Sequence, residues 1–269
     1  MLDKIKGLVS AQDIVEPPLK IAIVGEPGVG KSWLAATAPK PVLDIDFDGR
    51  KSSLQGKAGV YVKSYVDIDI NNPKAIADLE TDINTFEYEK GKGNPTPATY
   101  VLDSMTYGKK FTEAELIRQQ ATLGRTLKVG VSTIKIGSGW DIINGNRGYL
   151  EYLINRLSVL GNLIAIFHTQ DEKDNKKSTE KVKAYTGRLT VQPQYLNSLL
   201  SIFNDVWLLD TDYNNKRVVK TTITDTFIGK CSLKGLSPEE EPDIEKMLLK
   251  HKAVLEKEKA NVAQVKAGV

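Results

Sequence analysis

Residues 25–32 constrain the fold of this chain more than any other segment. They read Gly25-Glu26-Pro27-Gly28-Val29-Gly30-Lys31-Ser32, a full match to the pattern G-x-x-x-x-G-K-[ST]. A short apolar run at 21–24 precedes the segment, and a helix can begin at Trp33, so strand, loop and helix follow in the order that this pattern requires. The sequence therefore predicts a phosphate-binding loop, the P-loop, between the first strand and the first helix.

The residue types in the P-loop suit a nucleoside triphosphate. Its glycines allow the backbone to turn so that successive N–H groups converge on phosphate oxygens. Lys31 is predicted to reach the β- and γ-phosphates, and the hydroxyl of Ser32 is predicted to bind Mg²⁺. The expected cofactors are ATP and Mg²⁺, and the expected nucleotide-binding residues are Gly25, Glu26, Pro27, Gly28, Val29, Gly30, Lys31, Ser32 and Trp33.

The composition excludes several other classes of protein. The single cysteine, Cys231, cannot form an internal disulfide, and two histidines are too few for a histidine-rich metal site. The longest fully apolar run, residues 163–167, is too short to cross a bilayer. We therefore expect a cytoplasmic protein without a membrane partner. The formal net charge of +3 neither requires nor opposes nucleic acid as a partner.

Short apolar runs alternate with segments of helical spacing along the chain. The runs at 42–46, 58–66, 99–104, 163–167, 203–210 and 217–223 predict strands, and apolar spacing predicts helices at 71–83, at 149–160 and from 244 onward. This alternation predicts an α/β fold, with a mostly parallel sheet flanked by helices. The expected organisation is an N-terminal extension (1–17), a core (18–236) and a C-terminal helical segment with a charged tail (237–269).

Acidic residues at the ends of two predicted strands supply the other groups that phosphoryl chemistry needs. Asp103 follows the apolar Val101-Leu102 and is predicted to help hold Mg²⁺ together with Ser32. A proton acceptor for the attacking water is expected on a neighbouring strand, where Asp44, Asp46 and Asp48 are all available. Of these three acids, Asp46 is the preferred candidate.

Polar and basic residues follow the predicted strand at 163–167. His168 is placed where a side chain can sense the γ-phosphate, and Gln170 is the alternative. The next segment interleaves bases with one aromatic residue, a composition that suits the backbone and bases of single-stranded nucleic acid, although a solvated loop also explains it. Its candidate nucleic-acid-binding residues are Lys173, Lys176, Lys177, Lys181, Lys183, Tyr185 and Arg188.

Four motifs in this order resemble the RecA-like ATPases of bacteriophages, a group of phage nucleotide-binding and single-strand annealing proteins. The motifs are the P-loop, the acidic strand at 42–48, Val101-Leu102-Asp103-Ser104 and Ile164-Ala165-Ile166-Phe167-His168. The resemblance implies a RecA-like P-loop NTPase core that assembles as a ring or filament on single-stranded DNA in the host cytoplasm, with ATP between subunits. It assigns Asp46 as the catalytic acid, at a position where the family usually has glutamate.

The same resemblance implies two further groups of residues. Ile228-Gly229-Lys230-Cys231-Ser232 is similar to a late family motif, which makes Lys230 the lysine that a neighbouring subunit contributes to catalysis. Ser232 stands where the family has arginine, and Lys234 is a candidate to supply that charge. Residues 124–148 correspond to the first DNA-facing loop, with Arg125, Lys128, Lys135 and Arg147 as its DNA-binding residues.

The sequence thus favours a DNA-stimulated ATPase that acts as a recombinase or annealing protein on single-stranded DNA. One alternative is a nucleotide-gated loader that recruits a replication helicase or a single-strand-binding protein. A small-molecule kinase is a further alternative, which the scarcity of arginines in the expected lid disfavours.

Overall fold

The computed structural model describes residues 16–66, 74–122, 139–169, 201–222 and 229–267. The elements in these ranges are β1 (Lys20–Gly25), α1 (Lys31–Ala35), β2 (Val42–Asp46), β3 (Val60–Ser64), α2 (Ala75–Gly91), β4 (Thr99–Asp103), α3 (Met105–Thr122), α4 (Gly139–Leu160), β5 (Asn162–His168), β6 (Asp205–Thr211), β7 (Arg217–Lys220), β8 (Glu239–Glu240) and α5 (Ile244–Ala267). Each strand predicted from the sequence is present, with its ends shifted by a few residues.

The strands form one sheet in the order β3-β2-β4-β5-β1-β6-β7-β8. The six strands from β3 to β6 in this order are parallel, whereas β7 and β8 are antiparallel to their neighbours. This arrangement confirms the predicted α/β fold with a mostly parallel sheet. Because parallel strands end at the same edge of a sheet, the segments that follow β1, β2, β4 and β5 come together at that edge.

Helices cover both faces of the sheet. One face packs on α2, α3 and α4, and its core includes Ala22 and Val24 of β1. The other face packs on α1 and α5, and its core includes Ile21 and Ile23 of the same strand. A strand buried on both faces needs apolar residues at every position, which explains why β1 and β5 are continuous apolar runs. Among the described helices, none is long and apolar enough to cross a membrane.

The helix α3 was not predicted from the sequence. Two positions one turn apart on its buried side carry Gly108 and Thr112 instead of apolar residues, so the sequence lacks a clear apolar stripe. The ring of Phe47 lies against Gly108, where an added Cβ would approach it to 3.1 Å. The hydroxyl of Thr112 donates to the carbonyl of Gly108 at 3.0 Å. The helix therefore packs on the segment after β2 through a close backbone approach at Gly108, beside the ring of Phe111, whose centroid lies 6.2 Å from that of Phe47.

Polar contacts join α2 to α4. Arg156 of α4 donates to Glu80 at 2.5 Å, to Glu87 at 2.6 and 2.7 Å and to Asn84 at 2.7 Å. Lys90, near the end of α2, donates to two of the last carbonyl oxygens of α4 at 2.6 and 2.7 Å. These contacts fix the two helices side by side on one face of the sheet.

Candidate nucleotide-binding site

Three glycines of the P-loop are required by the backbone. Gly28 has a φ of +83° and Gly30 has a φ of +106°, a region that L side chains rarely adopt. Gly25 ends β1 against β6, where an added Cβ would lie 2.5 Å from the carbonyl oxygen of Leu209. The spacing of these glycines therefore follows from the turn of the loop and from the close approach of the neighbouring strand.

Lys31 is the first residue of α1 and is buried. Its ammonium group donates to the carbonyl oxygens of Gly25 at 2.9 Å and Glu26 at 2.7 Å. Burial lowers the pKa of Lys31 to about 8, while the negative charges of Asp103 and Asp48 act in the opposite direction. The lysine thus lies at the loop with the carboxylates of Asp103, Asp48 and Glu26 in its electrostatic field.

Ser32 and Asp103 meet although they are far apart in the sequence. The Ser32 hydroxyl, on α1, donates to Oδ2 of Asp103, the last residue of β4. Burial raises the pKa of Asp103, and the charge of Asp48 adds to this effect, whereas the hydrogen bond from Ser32 opposes it.

This pair of residues fits Mg²⁺. A hydroxyl and a carboxylate beside a phosphate loop are the oxygen ligands that the ion takes in phosphoryl-transfer sites. Among the described residues, no group of three or more His, Cys, Asp or Glu side chains forms a complete metal site. Ser32 and Asp103 would therefore hold the ion together with phosphate oxygens.

Asp46, the preferred candidate for the catalytic acid, closes the turn after β2. Its Oδ1 accepts the backbone N–H groups of Asp48 at 2.9 Å, Gly49 at 2.8 Å and Arg50 at 3.4 Å. Its Oδ2 accepts the hydroxyl of Ser64. Both oxygens of the buried carboxylate are thus engaged within the protein. The turn that Asp46 holds brings the next acid, Asp48, into the site.

Asp48 lies between the ends of β4 and β5. Its Oδ1 accepts the backbone N–H of Ser104 at 3.3 Å and the hydroxyl of the same residue at 3.1 Å. Its Oδ2 lies 3.5 Å from Nε2 of His168. Burial alone would raise the pKa of Asp48, but the hydrogen bonds from His168 and Ser104 outweigh it and hold the pKa below the usual range. Asp48 is therefore an ionised carboxylate at neutral pH.

His168 ends β5 directly beside the P-loop strand. It pairs with Gly25 in the register of β1 and β5, and its backbone N–H donates to the hydroxyl of Thr106 at 3.2 Å. Its ring meets the ring of Tyr107 edge to face, with centroids 6.4 Å apart. The histidine predicted as the γ-phosphate sensor thus lies at the same edge as the P-loop and contacts Asp48. The alternative, Gln170, lies outside the described residues.

Asp44 is the other acid of β2 and is almost fully buried. Burial raises its pKa well above the usual range, and the charges of Asp103, Asp46 and Asp48 add to the effect. Its Oδ1 has no hydrogen-bond partner in the described part of the chain. Asp44 is therefore the acid of this site that most readily keeps a proton.

The structure brings most of the predicted site together, but it places Lys230 elsewhere. Lys230 forms a β-bridge with Val206, near the start of β6, and its ammonium group donates to the carbonyl of Phe203 at 2.8 Å. It therefore lies toward the edge of the sheet opposite the P-loop. Its role in the site of a neighbouring subunit stays a prediction.

The remaining predicted residues are described only in part. Trp33 of α1 is partly exposed, and the ammonium of Lys57 lies 3.9 Å from the centroid of its ring. Arg147 of α4 forms an ion pair with Glu151 at 2.7 Å. The other predicted DNA-binding residues lie outside the described ranges, namely Arg125, Lys128, Lys135, Lys173, Lys176, Lys177, Lys181, Lys183, Tyr185 and Arg188.

Comparison with known proteins agrees with this site. The AAA domain family matches residues 17–233, which is most of the chain and includes every element from β1 to β7. No curated protein matches the chain significantly. The family match bears on nucleotide binding and hydrolysis in general, whereas the narrower resemblance to phage RecA-like proteins stays a prediction. The matched residues, the P-loop and the parallel sheet show that the chain belongs to this AAA domain family of P-loop NTPases.

Proposed function

We propose that this protein is a Mg²⁺-dependent ATPase in which Asp48 is the general base and single-stranded DNA is the effector. The observation that carries the proposal is the position of Asp48, an ionised carboxylate held by Ser104 and His168 at the edge of the sheet that carries the P-loop. This proposal replaces Asp46 by Asp48 as the catalytic acid.

A general base must be ionised, fixed in orientation and able to accept a proton. Asp48 is ionised because its pKa is held low, and Ser104 orients its Oδ1. Its Oδ2, which lies 3.5 Å from Nε2 of His168, is the oxygen that would accept the proton. Asp46 meets them less well because three backbone N–H groups and the hydroxyl of Ser64 hold both of its oxygens in hydrogen bonds, whereas the contact of His168 with Oδ2 of Asp48 is longer, at 3.5 Å. The geometry therefore favours Asp48 as the group that accepts a proton from the attacking water.

The other residues of the site divide the remaining tasks. Lys31 would contact phosphate oxygens at the P-loop, and Ser32 and Asp103 would hold the metal ion. Bound Mg²⁺ would supply positive charge that stabilises the transferred phosphoryl group. His168 holds the second oxygen of Asp48 and is in this respect a positioning residue, since it acts through the base.

The proposed link to DNA starts at His168. β5 ends at this residue, and the lysine-rich segment 171–192 begins three residues later in the sequence. If this segment binds the phosphate backbone of single-stranded DNA, binding would act directly on the residue that positions the base. The composition of the segment and its place in the chain support this proposal.

The position of Lys230 supports a proposed oligomer, ring or filament. A residue toward the sheet edge opposite its own P-loop is poorly placed to act on that nucleotide, whereas it can face the nucleotide of a subunit stacked head to tail. We extend the proposal to a recombinase or annealing protein of phage type on the basis of the sequence resemblance. ATP between subunits would then stabilise the DNA-bound assembly, and hydrolysis would release it.

DNA binding can be tested by titrating a labelled single-stranded oligonucleotide at several salt concentrations, with and without ATP. If lysines contact DNA phosphates, log K should fall with log salt by about 0.7 for each contact. We expect ATP to strengthen binding by the wild type and not by Lys31→Ala. Affinity that is independent of salt and of ATP would contradict the proposed role of DNA and favour a loader that captures a protein partner.

A further inference from the structure

Arg217 lies against the P-loop although it is distant in the sequence. It opens β7 and pairs with Thr211 at the end of β6. A Cβ added to Gly30 would lie 3.2 Å from both the guanidinium carbon and Nη1 of Arg217. The charged head group therefore packs directly on the last glycine of the P-loop, and any side chain at position 30 would push it away.

No carboxylate in the described part of the chain balances the charge of Arg217. No ion pair within 4.0 Å involves this arginine among the described residues, and its side chain is exposed. Asp210, on the neighbouring strand, is already paired with Lys220 at 2.8 Å. The guanidinium thus lies beside a loop that already carries the ammonium of Lys31. Two cations at one loop repel each other unless an anion lies between them.

The sheet order places Arg217 on one side of the P-loop and the catalytic groups on the other. β7 lies two strands from β1 across β6, and β4, which carries Asp103, lies two strands from β1 across β5. Neighbouring strands are about 4.8 Å apart, so each residue belongs to a strand about 10 Å from β1 in the plane of the sheet.

The two ends of a polyphosphate bound at the loop would therefore lie in different surroundings. The γ-phosphate belongs on the side of Asp48 and His168, and the α- and β-phosphates belong on the side of Arg217. A cavity of about 250 Å³, lined by residues 26–29 and 208–211, lies between the P-loop and the end of β6 on that second side. This cavity leaves open space beside the P-loop on the side of β6.

We propose that Arg217 binds the α- and β-phosphates of the nucleotide from within the same subunit. The inference rests on the proposed function in one respect, since a nucleotide must bind at the P-loop. A planar guanidinium suits this task because it can donate two parallel hydrogen bonds to phosphate oxygens. These phosphates are present in ADP and in ATP, so the contact strengthens binding of both.

Isothermal titration with ADP and with a non-hydrolysable ATP analogue, each with Mg²⁺, tests the proposal. Inorganic tripolyphosphate serves as a third ligand that lacks a base. We expect Arg217→Ala to raise the Kd of all three ligands by a similar factor of about ten or more, as for loss of a charge-assisted hydrogen bond. The Kd values of Arg217→Lys should fall between those of Arg217→Ala and those of the wild type.

Lys216→Ala is the matched control because it removes an exposed positive charge one residue away. It should bind all three ligands as the wild type does. Wild-type affinity in Arg217→Ala would overturn the proposal. A loss of affinity confined to the ATP analogue would also overturn it, because it would indicate a contact with the γ-phosphate. A loss of affinity for both nucleotides but not for tripolyphosphate would overturn it as well, because it would indicate a contact with the base. A wild type that binds no nucleotide would instead refute the proposed function itself.

Discussion

Replacement of Asp48 by asparagine separates its proposed role as a base from its role in the fold. The asparagine carbonyl oxygen can still accept the N–H and hydroxyl of Ser104, which lie 3.3 and 3.1 Å from Oδ1. The amide nitrogen then takes the place of the oxygen that lies 3.5 Å from Nε2 of His168. The variant should therefore keep the local packing and lose only a carboxylate that can accept a proton.

The expected loss of rate follows from the size of general base catalysis. A positioned base contributes a factor of about 10² to 10⁴, or about 3 to 5 kcal/mol of the activation barrier. We expect kcat for ATP hydrolysis to fall by about this factor in Asp48→Asn. The Kd for ATP should change less than about threefold, because Lys31, Ser32 and the P-loop backbone are untouched. Steady-state phosphate release and calorimetric titration measure the two quantities.

Asp46→Asn is the matched control for this prediction. Its carbonyl oxygen can still accept the N–H groups of Asp48 and Gly49, so the turn after β2 should persist. We expect kcat to fall less than about tenfold. The reverse pattern, in which Asp46→Asn is inactive and Asp48→Asn hydrolyses ATP at nearly the wild-type rate, would refute the reasoning and return the catalytic role to Asp46.

Three further predictions concern stability. Gly25→Ala places a Cβ 2.5 Å from the carbonyl oxygen of Leu209, so β1 and β6 must separate, and urea unfolding should show a loss of about 1 to 3 kcal/mol. Arg156→Ala removes the contacts with three side chains of α2, and the same assay should show a loss of about 1 kcal/mol because the network is partly exposed. Asp44→Asn should raise the melting temperature at neutral pH and have little effect near pH 3. The pKa of Asp44 is raised in the folded state from the usual 3.8, so the unfolded state releases this proton at a lower pH than the folded state does. The wild type therefore loses stability as pH rises above about 4, whereas Asp44→Asn does not.

The fold was predictable from the sequence wherever the signal is local. The P-loop motif and the apolar runs of β1 and β5 each consist of residues that are adjacent in the sequence. Together they predict the edge of the sheet at which the site forms. The helix α3 was not predicted because Gly108 and Thr112 occupy buried positions where a helical pattern shows apolar residues. Its packing depends on Phe47, which a local pattern cannot identify.

The choice between the acids of β2 shows where prediction of the site ends. Alternation along a strand places Asp44 and Asp46 on one side, and the structure buries both. β2 ends at Asp46, however, and the turn that follows, held by this residue, determines where Asp48 points. The position of Arg217 likewise depends on the sheet order, which places β7 two strands from β1. Neither arrangement leaves a signal in the local sequence.

The proposed function requires the P-loop site to hydrolyse ATP under the control of single-stranded DNA. The most direct test is steady-state ATP hydrolysis with Mg²⁺, measured with and without single-stranded DNA for the wild type and Lys31→Ala in parallel. We expect hydrolysis that DNA stimulates in the wild type and that is lost in Lys31→Ala under both conditions. Hydrolysis that is indifferent to DNA, or that persists in Lys31→Ala, would contradict it.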